Sequence, residues 1–276
     1  MLTALLLAAA LPASSFDQVV AAERGFAAMA IKAGRHQAFL ATLTDDAITF
    51  NPDPQPARPL HENQPPPQGS LQWAPGWVAV SAAGDLAVSA GPWRIEVSDN
   101  PIVKGDRAHG WFISMWRRQA GGRWKVGVDA GVSGPMTYSV PEPVVNGTVA
   151  PPASGPLARD ASSAKQGILA AEKAFEAAAR GGIGGAVAAV ADPFLRVYRE
   201  QKALLVGAKE SQAGLAADAR KAACSTDKIV AAKSGDLGYT YGTCAGLDAD
   251  TDKYGFLHVW RIQADGSWKV LVDVTP

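Results

Sequence analysis

The sequence predicts an α+β protein of two tandem domains, each an N-terminal helix packed on a curved antiparallel sheet. Three repeats carry this expectation. A closing hairpin runs from Trp116 to Asp129 and again from Trp260 to Asp273, each copy placing a Gly-bearing turn between two alternating runs. The helical stretch Ala21-Ala22-Glu23-Arg24-Gly25-Phe26 returns as Ala170-Ala171-Glu172-Lys173-Ala174-Phe175, and Gly84-Asp85-Leu86 returns as Gly235-Asp236-Leu237. A chain of 276 residues is long enough for each copy to bury its own core.

Residues 1–15 combine a short apolar run with following small residues and are expected to be a signal peptide, although no Lys or Arg precedes the run. The mature protein is then periplasmic or secreted. No later stretch approaches the roughly 20 apolar residues of a membrane span, so no stable span is expected. Lys plus Arg and Asp plus Glu each number 26; with zero net charge and no basic stripe, nucleic acid is not an expected partner.

The first domain is expected over 16–133. Ser15 is placed to cap a helix from Phe16 to Ala33, where Val19, Ala22, Phe26, Met29, Ala30 and Ala33 share one face and Gly34 ends it. A short helix over His36–Thr42 and a strand over Ala47–Phe50 follow. The Pro-rich stretch Asn51–Gly69 reads as a loop. Trp73–Ser81 and Leu86–Trp93 alternate about a turn, and Gly110–Trp116 feeds the hairpin. Residues 134–163, rich in Pro, Ser and Gly, read as a linker, in which Asn146-Gly147-Thr148 matches a glycosylation sequon by chance.

The second domain is expected over 164–276. Its helix breaks at Gly181–Gly185, a strand covers Asp192–Tyr198, and the Pro-free stretch Gln201–Ala222 reads as helical where the first domain has its Pro-rich loop.

Setting Gly84 on Gly235 without gaps places Trp73 on Cys224 and Trp93 on Cys244. In each copy the two positions lie nearly symmetrically about a turn, where antiparallel strands bring side chains together. A Trp pair in one copy and a Cys pair in the other join the same two strands. The predicted Cys224–Cys244 disulfide should stabilise the second domain by roughly 3 kcal/mol. Residues common to both copies, Glu23 and Glu172, Asp85 and Asp236, Trp116 and Trp260, Trp124 and Trp268, Asp129 and Asp273, are expected to be scaffold.

Trp73-Ala74-Pro75, Gly84-Asp85-Leu86, Gly235-Asp236-Leu237-Gly238-Tyr239-Thr240-Tyr241-Gly242 and the two closing hairpins resemble the nuclear transport factor 2-like superfamily, and within it the SnoaL-like branch. That resemblance implies a cone-shaped α+β unit with a pocket between helix and sheet. Members include ketosteroid isomerase, cyclases, dehydratases and non-catalytic binding or dimerising domains, so it implies no single activity.

Phe256, His258 and Trp260 alternate onto one strand face, where His258 is a candidate general base or ligand contact. Trp73, Trp77, Trp93 and Trp111 are candidates for an aromatic pocket with Asp46 or His61 at its mouth, Asp46 being the second candidate base. Tyr198 and Phe256 join the pocket candidates, and Arg196, Tyr198 and Arg199 are candidates for an anion site. There is no metal-spaced His or Cys cluster, phosphate loop, nucleophile elbow or dinucleotide fingerprint, so neither metal nor cofactor is expected. Three readings stay open: non-catalytic binding of a small apolar or amphipathic molecule, which is favoured; a cofactor-free isomerase, cyclase or hydrolase; and an interaction module. Packing of the two domains as an internal pseudo-dimer and homo-oligomerisation are both open.

Overall fold

The computed structural model describes residues 13–62, 64–65, 69–96, 106–135, 138–148, 160–247 and 253–275. Residues 1–12 of the expected signal peptide lie outside the described residues. The first helix, α1 (Ser15–Ala33), is capped by Ser14, one residue before the expected cap, because Ser14 Oγ accepts from the Asp17 amide at 3.1 Å and donates to the Asp17 carboxylate at 2.6 Å. Gly34 ends it at φ 92°.

α2 (Arg35–Thr42) leads into β1 (Leu43–Phe50). The expected Pro-rich loop contains β2 (Pro54–Pro56) and a 3-10 turn at Arg58–Leu60. Pro54 and Pro56 have no N–H to donate, which suits β2 to the sheet edge, where among the described residues it pairs with β1 alone. The run expected over Trp73–Ser81 is two strands, β3 (Ser70–Trp73) and β4 (Trp77–Val80). Pro75 interrupts them, and Gly91 lies so close beneath that a Cβ there would sit 2.0 Å from the Ala74 carbonyl oxygen. β5 (Leu86–Glu96), β6 (Asp106–Arg118) and β7 (Trp124–Ser133) complete the meander.

The stretch expected as linker holds β8 (Val145–Asn146), which pairs in parallel with β4, and the start of α3 (Ala161–Ala179). Asp160 and Ser163 form a capping box that nucleates α3 earlier than hydrophobic spacing alone suggests. After α4 (Ile183–Ala189) come β9 (Ala191–Arg199) and β10 (Leu205–Val206). Of the expected helix over Gln201–Ala222, only α5 (Ala208–Ala216) forms. β11 (Ala222–Ala231), β12 (Leu237–Gly246), β13 (Lys253–Ile262) and β14 (Trp268–Thr275) finish the chain.

The fold is therefore α+β with two sheets, each preceded by a helix. The first sheet runs β2-β1-β7-β6-β5-β4-β8, with β3 also on β5; the second runs β10-β9-β14-β13-β12-β11. Both are antiparallel except where β1 meets β7, β4 meets β8 and β9 meets β14.

Each sheet is covered on both faces. One face meets its own helix: Val19, Phe26, Trp73, Phe112 and Trp116 cluster in the first unit, and Ile168, Phe175, Leu195, Phe256 and Trp260 in the second. The opposite faces meet each other in one shared cluster that includes Trp77, Ile113, Met115 and Val128 from the first sheet and Tyr198, Tyr239, Leu257 and Val272 from the second. Burial on both faces explains why the centre of β13 reads Phe-Leu-His-Val-Trp with a single polar residue.

The repeated Gly-Asp-Leu turns meet across this contact. Asp85 accepts from the Lys233 amide at 3.1 Å, and Asp236 accepts from the Ala82 amide at 2.8 Å. Each Asp thus satisfies the other unit's hairpin, a reciprocal exchange of the kind that two-fold symmetry imposes on dimers.

Trp73 stands opposite Trp93 between β3 and β5, and Cys224 stands opposite Cys244 between β11 and β12, in the register expected. Cys224 and Cys244 form the disulfide, with Cα atoms 4.0 Å apart.

Candidate functional site

Each helix sends one glutamate into the interior of its unit, and both are fully buried. Glu23 accepts from Trp73 Nε1 at 2.7 Å, Ser89 Oγ at 2.5 Å and Trp116 Nε1 at 2.9 Å. Glu172 accepts from Thr240 Oγ1 at 2.5 Å, His258 Nδ1 at 3.0 Å and Trp260 Nε1 at 3.0 Å. Burial raises the pKa of Glu23, against the opposing effect of its three donors.

A second acid enters each interior by way of a bulge. Between Met115↔Val128 and Trp116↔Val126 one extra residue, Gly127, is inserted; Leu271 is the extra residue between Val259↔Val272 and Trp260↔Val270. Without these insertions, period-2 alternation from Val126 or Val270 would turn Asp129 and Asp273 towards the shared inter-sheet core. With them, the two aspartates face inwards.

The two acid pairs differ in the group that stands between them. Ser114 Oγ donates to Asp129 at 3.1 Å, leaving the first unit with two acids and no cation between them. Burial, followed by the nearby Glu23, pushes Asp129 up to about 7 despite the Ser114 bond. In the second unit His258 occupies the corresponding place, with Nδ1 on Glu172 and Nε2 3.5 Å from Asp273. Burial alone would favour neutral imidazole, but Glu172 and Asp273 outweigh it and raise His258 to about 9. Burial disfavours the Asp273 carboxylate as well, yet Arg199, at 2.5 Å, and His258 hold it well below the usual carboxylate range.

These shifts give a pH prediction. Groups raised on folding contribute stability that is complete below the unfolded value and is lost as pH rises through the folded one. For Asp129 that window runs from 3.8 to about 7, and for His258 from 6.5 to about 9. Asp273 is depressed, so its contribution disappears on acidification below 3.8. The melting temperature should fall between pH 6.5 and 9, and His258→Gln should flatten that limb. A wild-type melting temperature that rises over the same range would contradict the assignment.

The other sequence candidates divide between interior, inter-sheet core and surface. Trp73 and the partly buried Trp93 lie in the interior of the first unit, where Phe26 packs edge-on against Trp73 and Phe39, both at 4.8 Å. Trp77 and Trp111 face the other way: Arg196 covers Trp77 at 5.2 Å and Tyr198 meets Trp111 at 6.3 Å. Tyr198 is therefore between the sheets, and its hydroxyl accepts from Arg196 Nε at 3.0 Å. Arg199 points to the opposite side of β9, so the three anion candidates do not converge.

Phe256 packs on His258 inside the second unit. Asp46 is exposed and paired with Arg117, whose hydrogen bond leads the effects that depress it to about 2. His61 stacks on Phe39 and shares a 3.0 Å Nδ1 contact with His36; burial, then the charges of His36 and Arg35, lower it to about 4.

A further feature lies at the end of the second unit beside α5. It is a cavity of about 1080 Å³. Val197, Leu205 and Leu215 supply apolar wall, Arg199, Arg220 and Tyr254 supply polar groups, and Pro52 of the first unit reaches its edge. The Pro52 carbonyl accepts from the Gly255 amide at 2.8 Å, which holds that loop in place.

No family model matches this chain, and no curated protein does. Solved structures do. A ketosteroid isomerase-like protein from Erwinia carotovora atroseptica is 19% identical, with a TM-score of 0.35, over 40% of this chain and 93% of its own. A protein of unknown function with a cystatin-like fold from Nostoc punctiforme is 14% identical over 42% of this chain and 92% of its own, with a TM-score of 0.35. An NTF2-like protein of unknown function from Pseudomonas putida matches at 14% identity over 42% and 87%, with a TM-score of 0.36. Each match spans about the length of one copy of the repeat.

Among the described residues, no group of three or more His, Cys, Asp or Glu is placed to hold a metal ion, and no helix is long and apolar enough to cross a membrane.

Proposed function

We propose that the protein is an exported, non-catalytic binding protein whose second unit holds a small amphipathic molecule. The observation that carries this reading is the cavity of about 1080 Å³, in which apolar wall and a few polar groups are combined as in small-molecule sites. Export is supported by the Cys224–Cys244 disulfide, a bond that persists in oxidising compartments. The reciprocal Asp85 and Asp236 bonds support reading the chain as its own pseudo-dimer.

The chemistry of the interior favours binding over acid–base catalysis. A general base needs a free lone pair near neutral pH. His258 is protonated there, with each ring nitrogen directed at a carboxylate. Asp46, paired with Arg117 and depressed to about 2, is too weak a base.

Native mass spectrometry of protein purified from its own host, compared with the denatured mass, tests the reading. A small molecule released on denaturation is expected. A bare native mass across repeated preparations, together with no uptake of amphipathic probes, would reject it.

A further inference from the structure

The cavity of the second unit contains two buried polar groups that the protein leaves unanswered. Arg199 is only 11% exposed in its side chain; Nη2 bonds Asp273 at 2.5 Å and Nη1 donates to the Tyr198 carbonyl at 3.2 Å. Its third nitrogen, Nε, is buried and has no hydrogen-bond partner; it makes only a long ion pair with Asp218, at 3.7 Å. The Tyr254 hydroxyl is likewise buried without a partner, and Arg220 lies 5.5 Å over its ring. Arg199 and Tyr254 both line the cavity. A buried donor left unpaired is unfavourable, so an acceptor oxygen that reaches either group gains more here than in water.

The charge of the lining selects among acceptors. Arg199, Lys202, Arg220, Lys221 and Lys253 face Glu200 and Asp218. Both carboxylates are engaged: Glu200 accepts from the Ser133 amide at 2.8 Å, and Asp218 takes both Nε and Nη2 of Arg220 at 2.8 Å. An anionic head suits this lining better than a neutral or cationic one. The apolar wall of Val197, Leu205 and Leu215 suits a hydrocarbon body.

Resting on the binding reading above, we infer that the molecule is an amphipathic carboxylate, its acid group accepting from Arg199 Nε and the Tyr254 hydroxyl and its apolar part lying along Leu205 and Leu215.

The test is calorimetric titration of the full chain with decanoate, decan-1-ol and decyltrimethylammonium, three probes that share one tail. Decanoate should bind about tenfold more tightly than decan-1-ol, and the ammonium probe more weakly than either. Tyr254→Phe, which removes one hydroxyl and keeps the ring, should weaken decanoate about tenfold, as expected for a hydrogen bond to a charged group, while leaving decan-1-ol within about twofold. Equal affinities for decanoate and decan-1-ol, or a Tyr254→Phe variant that binds decanoate unchanged, would overturn the carboxylate assignment and leave the binding reading standing. Failure of all three probes would also overturn the assignment, and a bare native mass would then remove the binding reading.

Discussion

Asp273→Ala is expected to destabilise the protein by about 3–5 kcal/mol at pH 7, the usual consequence of removing one partner from a buried ion network. The network runs Arg199, Asp273, His258, Glu172, and the substitution leaves its two cations with one carboxylate where there had been two. The matching change in the first unit should be far milder. Asp129 is half-buried, receives the Ser114 bond and is already held at about pKa 7, so Asp129→Ala should lose about 1 kcal/mol or less. Urea unfolding of both variants measures the difference. Equal losses would mean that His258 does not distinguish the two interiors energetically.

Breaking the disulfide is the second large effect expected. Cys224 and Cys244 are 20 residues apart, and opening a loop of that size should reduce stability by about 3 kcal/mol in the chain-entropy model. Among the described residues β11 is an edge strand paired with β12 alone, so the bond fixes a strand with one ladder. Cys244 also stands opposite Tyr254 in β13, so loosening this end disturbs the cavity wall as well as the fold. Thermal unfolding with and without a reductant, alongside the Cys224→Ser/Cys244→Ser double variant, should show matching losses. A melting temperature indifferent to both would show that strand pairing alone holds β11.

Much of the fold was legible in the residues because the repeat is read twice. The gapless match about Gly84 and Gly235 placed Trp73 opposite Trp93 and Cys224 opposite Cys244 without any knowledge of the sheet. The interior was harder to read. Trp-Lys-Val-x-Val-Asp alternates cleanly on paper, and nothing in it announces the extra residue that swings Asp129 and Asp273 inwards. Strands apolar on both faces also conceal which face meets the helix, so Trp77, Trp111 and Tyr198 read as pocket residues although they lie between the sheets. Glu23 and Glu172 are common to both copies, but a charged residue on a helix ordinarily indicates solvent; three converging donors are visible only in three dimensions. The cavity beside α5 had a faint signal, the replacement of the first unit's Pro-rich loop by a Pro-free stretch.

The exchange of Asp85 and Asp236 across the hairpin turns has a consequence for how such a protein can diverge. In a dimer of identical subunits every substitution appears twice, so a change that helps one interior is forced on the other. With both halves on one polypeptide, each position varies singly while the contact between them is kept. A serine facing an aspartate can persist in one half while a histidine tied to two carboxylates arises in the other. Dilution cannot part the halves, so their association does not depend on protein concentration as that of a dimer does.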